Sequence, residues 1–115
     1  MEDSQFIKAA VPLEPFSVNK AFQGRRFKTK DCKHWEACFR QLLPRKTMVK
    51  GKVSVKYRFF LKNHALVDYD NLIKIMQDNL VKARYIEDDR KIYKAIVEKI
   101  PCRYNKIEIE IDEML

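Results

Sequence analysis

From Lys52 to Lys62 the chain alternates with a period of two: Val53, Val55, Tyr57, Phe59 and Leu61 on one side, Lys52, Ser54, Lys56, Arg58 and Lys62 on the other. Successive side chains of a β-strand point to opposite faces, so this run predicts a strand with one core face and one positive face. Only Phe60 breaks the pattern. The last strand, Lys106 to Asp112, alternates in the same way, Ile107, Ile109 and Ile111 against Glu108, Glu110 and Asp112.

The rest of the chain divides around these two strands. Phe6 to Val11 is read as a first strand, closed by Pro12 and Pro15, with an ordered loop from Pro15 to Phe22 and a basic stretch from Arg25 to Lys30. Asp31 is the expected N-cap of a helix running to about Leu43, with Trp35, Cys38, Phe39 and Leu42 on its apolar face and Pro44 as its stop. An irregular segment from Asn63 to Asp70 leads to a second helix, about Asn71 to Ala83, burying Leu72, Ile75, Met76, Asn79, Leu80 and Ala83. After a turn at Ile86 to Arg90, a β-branched run suggests a strand from Ile92 to about Ile100. The order β-α-β-α-β-β gives a two-layer α+β fold, a mixed or antiparallel sheet packed against two helices, in one domain covering residues 1–115.

Charge then narrows the function. Lys and Arg number 24 against 16 Asp and Glu, a formal net charge of +8, which suits a polyanionic partner. Between Arg45 and Asn63 there are seven Lys or Arg and no Asp or Glu. The two glycines, Gly24 and Gly51, cannot build a phosphate-cradling Gly-rich loop, so no nucleotide cofactor is expected. No apolar run is long enough to span a bilayer, and the stretch from Met1 to Lys8 lacks a signal-peptide core. With three cysteines and no disulfide-scaffold density, a reducing cytoplasm is the expected location.

Against that positive background the carboxylates stand out. Asp68 and Asp70 lie two apart, and in an extended segment both project from one side, roughly 6–7 Å apart. Two carboxylates so close repel one another unless a divalent cation offsets their charge, and hard oxygen donors suit Mg²⁺ or Mn²⁺. Asp88 and Asp89 form a second acidic pair, and Lys74 follows Asp70 by one helical turn. A cation held there activates water and neutralises charge on a phosphodiester during hydrolysis. Each residue also has a plainer reading, Asp70 as a helix cap, Asp88 and Asp89 as a solvated turn, Lys74 as a surface pair. The combination within a basic chain favours the chemical one. Cys32, His34 and Cys38 match no common zinc spacing, and Lys52, Lys56 and Arg58 are the expected phosphate-tracking face, with Glu108, Glu110 and Asp112 pointing away from DNA.

The segment Val67 to Lys74 (VDYDNLIK), followed by Asp78 to Leu80 (DNL) and Arg84 to Ile92 (RYIEDDRKI), resembles the RusA-type Holliday-junction resolvases, as does Pro15 to Lys20 (PFSVNK). The resemblance implies that Asp68, Asp70 and Asp89 are metal-binding catalytic carboxylates and that Lys74 is an active-site base or charge stabiliser. It implies an Mg²⁺-dependent homodimer, with Mn²⁺ able to substitute, acting on a four-way DNA junction. Asn19, Lys20, Arg25, Arg26 and Lys28 join Lys52, Lys56 and Arg58 as expected DNA contacts. Arg84 departs from the family pattern: it stands where a glycine is usual, at a turn that favours positive φ. The readings left open are a non-catalytic DNA-binding module and a metal-dependent nuclease for other branched DNA, both distinguished by metal dependence and substrate shape.

Overall fold

In the computed structural model, which describes residues 6–16, 22–23 and 27–114, strand β1 (Phe6–Val11) is followed by the short strands β2 (Phe22–Gln23) and β3 (Phe27–Lys28). Helix α1 (Lys30–Leu42), strand β4 (Val53–Leu61), helix α2 (Ile73–Lys82) and strands β5 (Ile92–Pro101) and β6 (Lys106–Glu113) complete the order. The main sheet runs β1-β6-β4-β5, with β6 antiparallel to both neighbours and β5 parallel to β4. A parallel pair needs a crossover, and α2 with its flanking turns supplies it. The mixed sheet packed against two helices is the α+β architecture expected from the alternation pattern.

The core follows the alternation. Val53, Val55, Tyr57, Phe59 and Leu61 of β4 are buried, as are Ile107, Ile109 and Ile111 of β6 and Ile7, Ala9 and Val11 of β1. Burying each aliphatic or aromatic side chain contributes roughly 1.5–3 kcal/mol, so these three strands carry much of the stabilisation. Phe60 faces outward with the even-numbered residues; Lys106 sits over its ring at 5.0 Å and Tyr104 stacks at 6.5 Å, which explains an apolar residue on a polar face.

Helix α1 departs from its expected geometry in two ways. Its N-cap is Thr29, whose hydroxyl accepts from the Cys32 N–H at 3.1 Å, while Asp31 sits inside the first turn. Its buried face is Cys32, Trp35, Glu36 and Phe39, with Leu43 beyond the end, whereas Leu42 is exposed and Cys38 half-buried. The face is rotated because a carboxylate belongs to it. Glu36 is buried through polar partners: Asn79 Nδ2 donates to Glu36 Oε2 at 2.8 Å and Lys82 Nζ at 3.3 Å. Trp35 also ties α1 to the loop after β1, its Nε1 donating to the Glu14 carbonyl at 2.6 Å and its ring standing 6.1 Å from Phe16.

The outer face of the sheet corrects the expected division of charge. Register places Arg58 opposite Glu108 and Lys56 opposite Glu110, so the basic side of β4 and the acidic side of β6 share one face. Arg58 Nη1 lies 2.8 Å from Glu110 and 3.5 Å from Glu108, and Arg58 Nε 3.4 Å from Glu98. Lys56 pairs with Glu98 at 3.6 Å, and Lys106 with Glu108 at 3.0 Å. The hydrogen bond from Lys106 is the first cause holding the Glu108 carboxyl below the usual range, with Arg58 adding to it. Lys52 sits over the Tyr93 ring at 5.1 Å. A strand read alone shows its charges but not its neighbours, and here β6 neutralises β4. Lys56 and Arg58, expected to meet phosphate, belong to a charge ladder with Glu98, Glu108 and Glu110.

Candidate active site

The acidic residues sit on two short turns that flank the start of α2. Asp68 is extended (φ −79°, ψ 132°), and a 3-10 turn follows over Tyr69–Leu72, closed by the Asn71 N–H donating to the Asp68 carbonyl at 3.2 Å. Asp70 lies inside that turn, so the two aspartates are not on one continuous extended stretch. The N-cap position of α2 is Leu72 and makes no side-chain cap, which removes the plainer reading of Asp70 as the helix cap. Both residues are exposed, and neither carboxylate has a hydrogen-bond or ion-pair partner among the described residues.

Lys99 of β5 holds the approach to this turn. Its ammonium donates to the His64 carbonyl at 2.7 Å and the Val67 carbonyl at 2.6 Å, pinning the backbone that delivers Asp68. Nothing local in the sequence marks it, because it lies some thirty residues downstream on a strand; only the parallel pairing of β4 and β5 brings it here.

The second turn, Asp89–Lys91, is capped by Asp88, whose Oδ1 accepts from the Arg90 N–H at 3.2 Å and whose Oδ2 lies 3.3 Å from the Arg90 guanidinium. Asp88 thus has a structural task, which leaves Asp89 as the available carboxylate of the pair. A hydrogen bond between them is the first cause that raises Asp89 and lowers Asp88 relative to an ordinary aspartate. Desolvation and the charge of Asp88 raise Asp89 further, Lys74 opposes them, and Asp78 adds to them. Lys74 itself lies 3.9 Å from Asp78, one turn along α2.

Asp89 is therefore electrostatically next to Lys74 and Asp78, and Asp68 and Asp70 precede Lys74 on the adjoining turn. Among the described residues no three His, Cys, Asp or Glu side chains stand close enough together to hold a metal ion, so Asp68, Asp70 and Asp89 are not gathered into one cluster as placed. The donor chemistry nevertheless suits a hard divalent cation. Every candidate ligand is a carboxylate, Asp68 and Asp70 have no competing partner among the described residues, and the neighbouring Asp88 carboxylate raises Asp89, a repulsion that a cation would offset. A cleft of about 800 Å³ opens beside Asp68, with Asn71 on the same wall and His34 and Trp35 of α1 opposite.

Of the expected DNA contacts, Asn19, Lys20, Arg25 and Arg26 lie outside the described residues, and Lys28 is described only through the backbone of β3. His34 contacts Cys38 Sγ at 3.6 Å, while Cys32 is buried. Among the described residues no helix is long and apolar enough to cross a membrane.

The comparisons with known proteins bear on the same segments. The family model described as Endodeoxyribonuclease RusA matches residues 12–112. A curated relative, the crossover junction endodeoxyribonuclease RusA of Lactococcus phage r1t, is 35% identical over 79 residues, which is 67% of this chain and 60% of the relative. The chain thus spans about three-fifths of the length of that relative. A match that runs from the loop after β1 to the end of the last strand takes in both acidic turns and the helix between them: the chain belongs to the RusA endodeoxyribonuclease family.

Proposed function

We propose that this chain is a divalent-metal-dependent DNA endonuclease that resolves four-way junctions by hydrolysing phosphodiester bonds. One observation carries the reading: two exposed carboxylates without partners, Asp68 and Asp70, adjoin the Lys74–Asp89 neighbourhood in a chain of net charge +8. Family membership and the phage relative, named as a crossover junction endodeoxyribonuclease, support it.

In this reading Asp68, Asp70 and Asp89 hold Mg²⁺, or Mn²⁺ in its place. When bound, the cation supplies charge neutralisation for the phosphate and a more acidic water. Lys74, exposed and tethered only to Asp78, places an ammonium where charge grows on the phosphate or the leaving oxygen. Asp88 keeps the turn closed through Arg90, and Lys99 fixes the backbone before Asp68. The products carry a 5′-phosphate and a 3′-hydroxyl. A homodimer presents two such sites to the junction, and β5, an edge strand with Tyr93 and Ile96 exposed, is a surface open to a second copy.

The test is cleavage of matched four-way, three-way and linear DNA by the purified chain, with Mg²⁺ and with chelator. Four-way junctions are expected to be cut first, and only with metal. Equal cutting of linear duplex would remove the junction preference and leave a general nuclease. Salt-dependent binding with no cleavage at any Mg²⁺ or Mn²⁺ concentration would make the chain a binding module.

A further inference from the structure

At the other end of α2 the chain builds a basic notch of about 680 Å³, lined by Arg40, Arg45, Lys46, Lys82 and Arg84 with no acidic side chain among its lining residues. Its walls are held in place. The Tyr85 hydroxyl donates to the Pro44 carbonyl, and the Val49 N–H donates to the Tyr85 carbonyl at 3.0 Å, so the segment after α1 is fastened along the segment after α2. Cations near helix C-termini are common, since the last carbonyls of a helix attract them. That accounts for Arg40, bonded to Asn79 Oδ1 at 3.0 Å, and for Lys82, paired with Glu36 at 3.3 Å. It does not account for Arg45, Lys46 and Arg84, which lie beyond both helices and form no ion pair with a described residue.

Arg84 is the sharpest of these. The end of α2 is a Schellman turn: the Arg84 N–H donates to the Val81 carbonyl at 3.0 Å and the Tyr85 N–H to the Leu80 carbonyl at 2.9 Å. That turn places its central residue in the left-handed region, and Arg84 has φ 60°, the one positive φ of a non-glycine among the described residues. Glycine fits this position without strain and an L side chain does not. An arginine is held, against backbone preference, in the wall of a pocket whose other charged lining side chains are all cationic.

We propose that this notch is a second DNA-backbone site, in which Arg45, Lys46 and Arg84 grip phosphates of the strand that runs from the acidic turns along α2. The proposal rests on the nuclease reading and extends it. The ten residues of α2 separate notch and acidic turns by about 15 Å at 1.5 Å per residue, or about four phosphates at 3.4 Å of axial rise. It also supplies cations clear of carboxylates, whereas Lys56 and Arg58 on the sheet are engaged by glutamates.

Arg84→Gly and the triple substitution Arg45→Ala, Lys46→Ala, Arg84→Gly test it, by binding in chelator to a four-way junction and to a linear duplex across a salt series. Arg84→Gly relieves the left-handed strain, so its melting temperature should equal or exceed that of the wild type, which separates lost contact from lost fold. The slope of log affinity against log salt should become shallower by about 0.9 for each phosphate contact removed, with affinity of the triple variant down on the order of tenfold or more on both DNAs. Arg84→Lys should retain the wild-type slope. An unchanged slope and affinity in the triple variant, while the wild-type protein still cuts junctions, overturns the notch and leaves the nuclease reading standing. A wild-type protein that neither binds nor cuts DNA overturns both.

Discussion

Asp70→Asn is expected to lower junction cleavage by at least about 10³-fold, equivalent to about 4 kcal/mol of barrier at 1.36 kcal/mol per tenfold, while junction binding stays equal or tightens. The two effects have separate origins. Asparagine keeps the size and shape of the side chain but removes the anionic oxygen that a hard divalent cation requires. Removing one negative charge from a protein of net charge +8 cannot weaken its attraction to a polyanion. The fold should be untouched, because the Asp70 carboxylate has no partner to lose and the turn is held by backbone bonds. Single-turnover cleavage, a binding isotherm in chelator and a melting curve check the three statements. Cleavage at the wild-type rate would remove Asp70 from the chemistry.

Asn79→Ala is expected to destabilise the protein by about 3 kcal/mol, or roughly 10–15 °C in melting temperature for a domain of this size. Asn79 is fully buried and uses every polar atom it has: Nδ2 donates to Glu36 at 2.8 Å and to the Ile75 carbonyl at 2.8 Å, and Oδ1 accepts from Arg40 at 3.0 Å. Alanine leaves the Glu36 carboxylate buried between the helices without one of its donors, and an undersatisfied buried charge is costlier than the net worth of the bonds removed. Replacing both partners with apolar residues, Glu36→Leu with Asn79→Leu, should therefore destabilise less than the sum of the two single substitutions. Thermal melts of the three variants form the cycle. Additive losses would mean that the two side chains act independently.

The same pair explains why the strands were more legible than the helices. Alternation over β4 and β6 survives because each strand faces one core and one outer surface, and their ends were read to within a residue or so. Helix α1 was read by apolarity, which cannot enlist Glu36, so Leu42 and Cys38 were assigned to a face that belongs to Cys32 and Leu43. The short pair β2–β3 was read as a basic loop, since a two-residue ladder leaves no periodicity. In the candidate site, the acidic residues and Lys74 were visible as composition out of place in a basic chain. Their supports were not: Lys99 reaches the site through strand pairing, and the neutralisation of Arg58 by Glu108 and Glu110 depends on register between segments fifty residues apart. Arg84 was the reverse case, visible as a single departure from the family pattern at a turn that favours positive φ, and it keeps that backbone shape with φ 60°.

The electrostatic picture that results is uneven by design of the fold. On the sheet, Lys56, Arg58 and Lys106 are paired with glutamates, and each exposed pair contributes only about 0–1 kcal/mol. Arg45, Lys46 and Arg84, beyond the C-terminal ends of the two helices, form no ion pair with a described residue.

Paramagnetic broadening by Mn²⁺ tests the central claim most directly. In a titration of the ¹⁵N-labelled protein, the backbone amide signals of Asp68, Asp70 and Asp89 should broaden together at the lowest ion concentrations, before any other carboxylate region. Broadening confined to Asp68 and Asp70, with Asp89 unaffected, would contradict the account, because the two turns would then not share an ion.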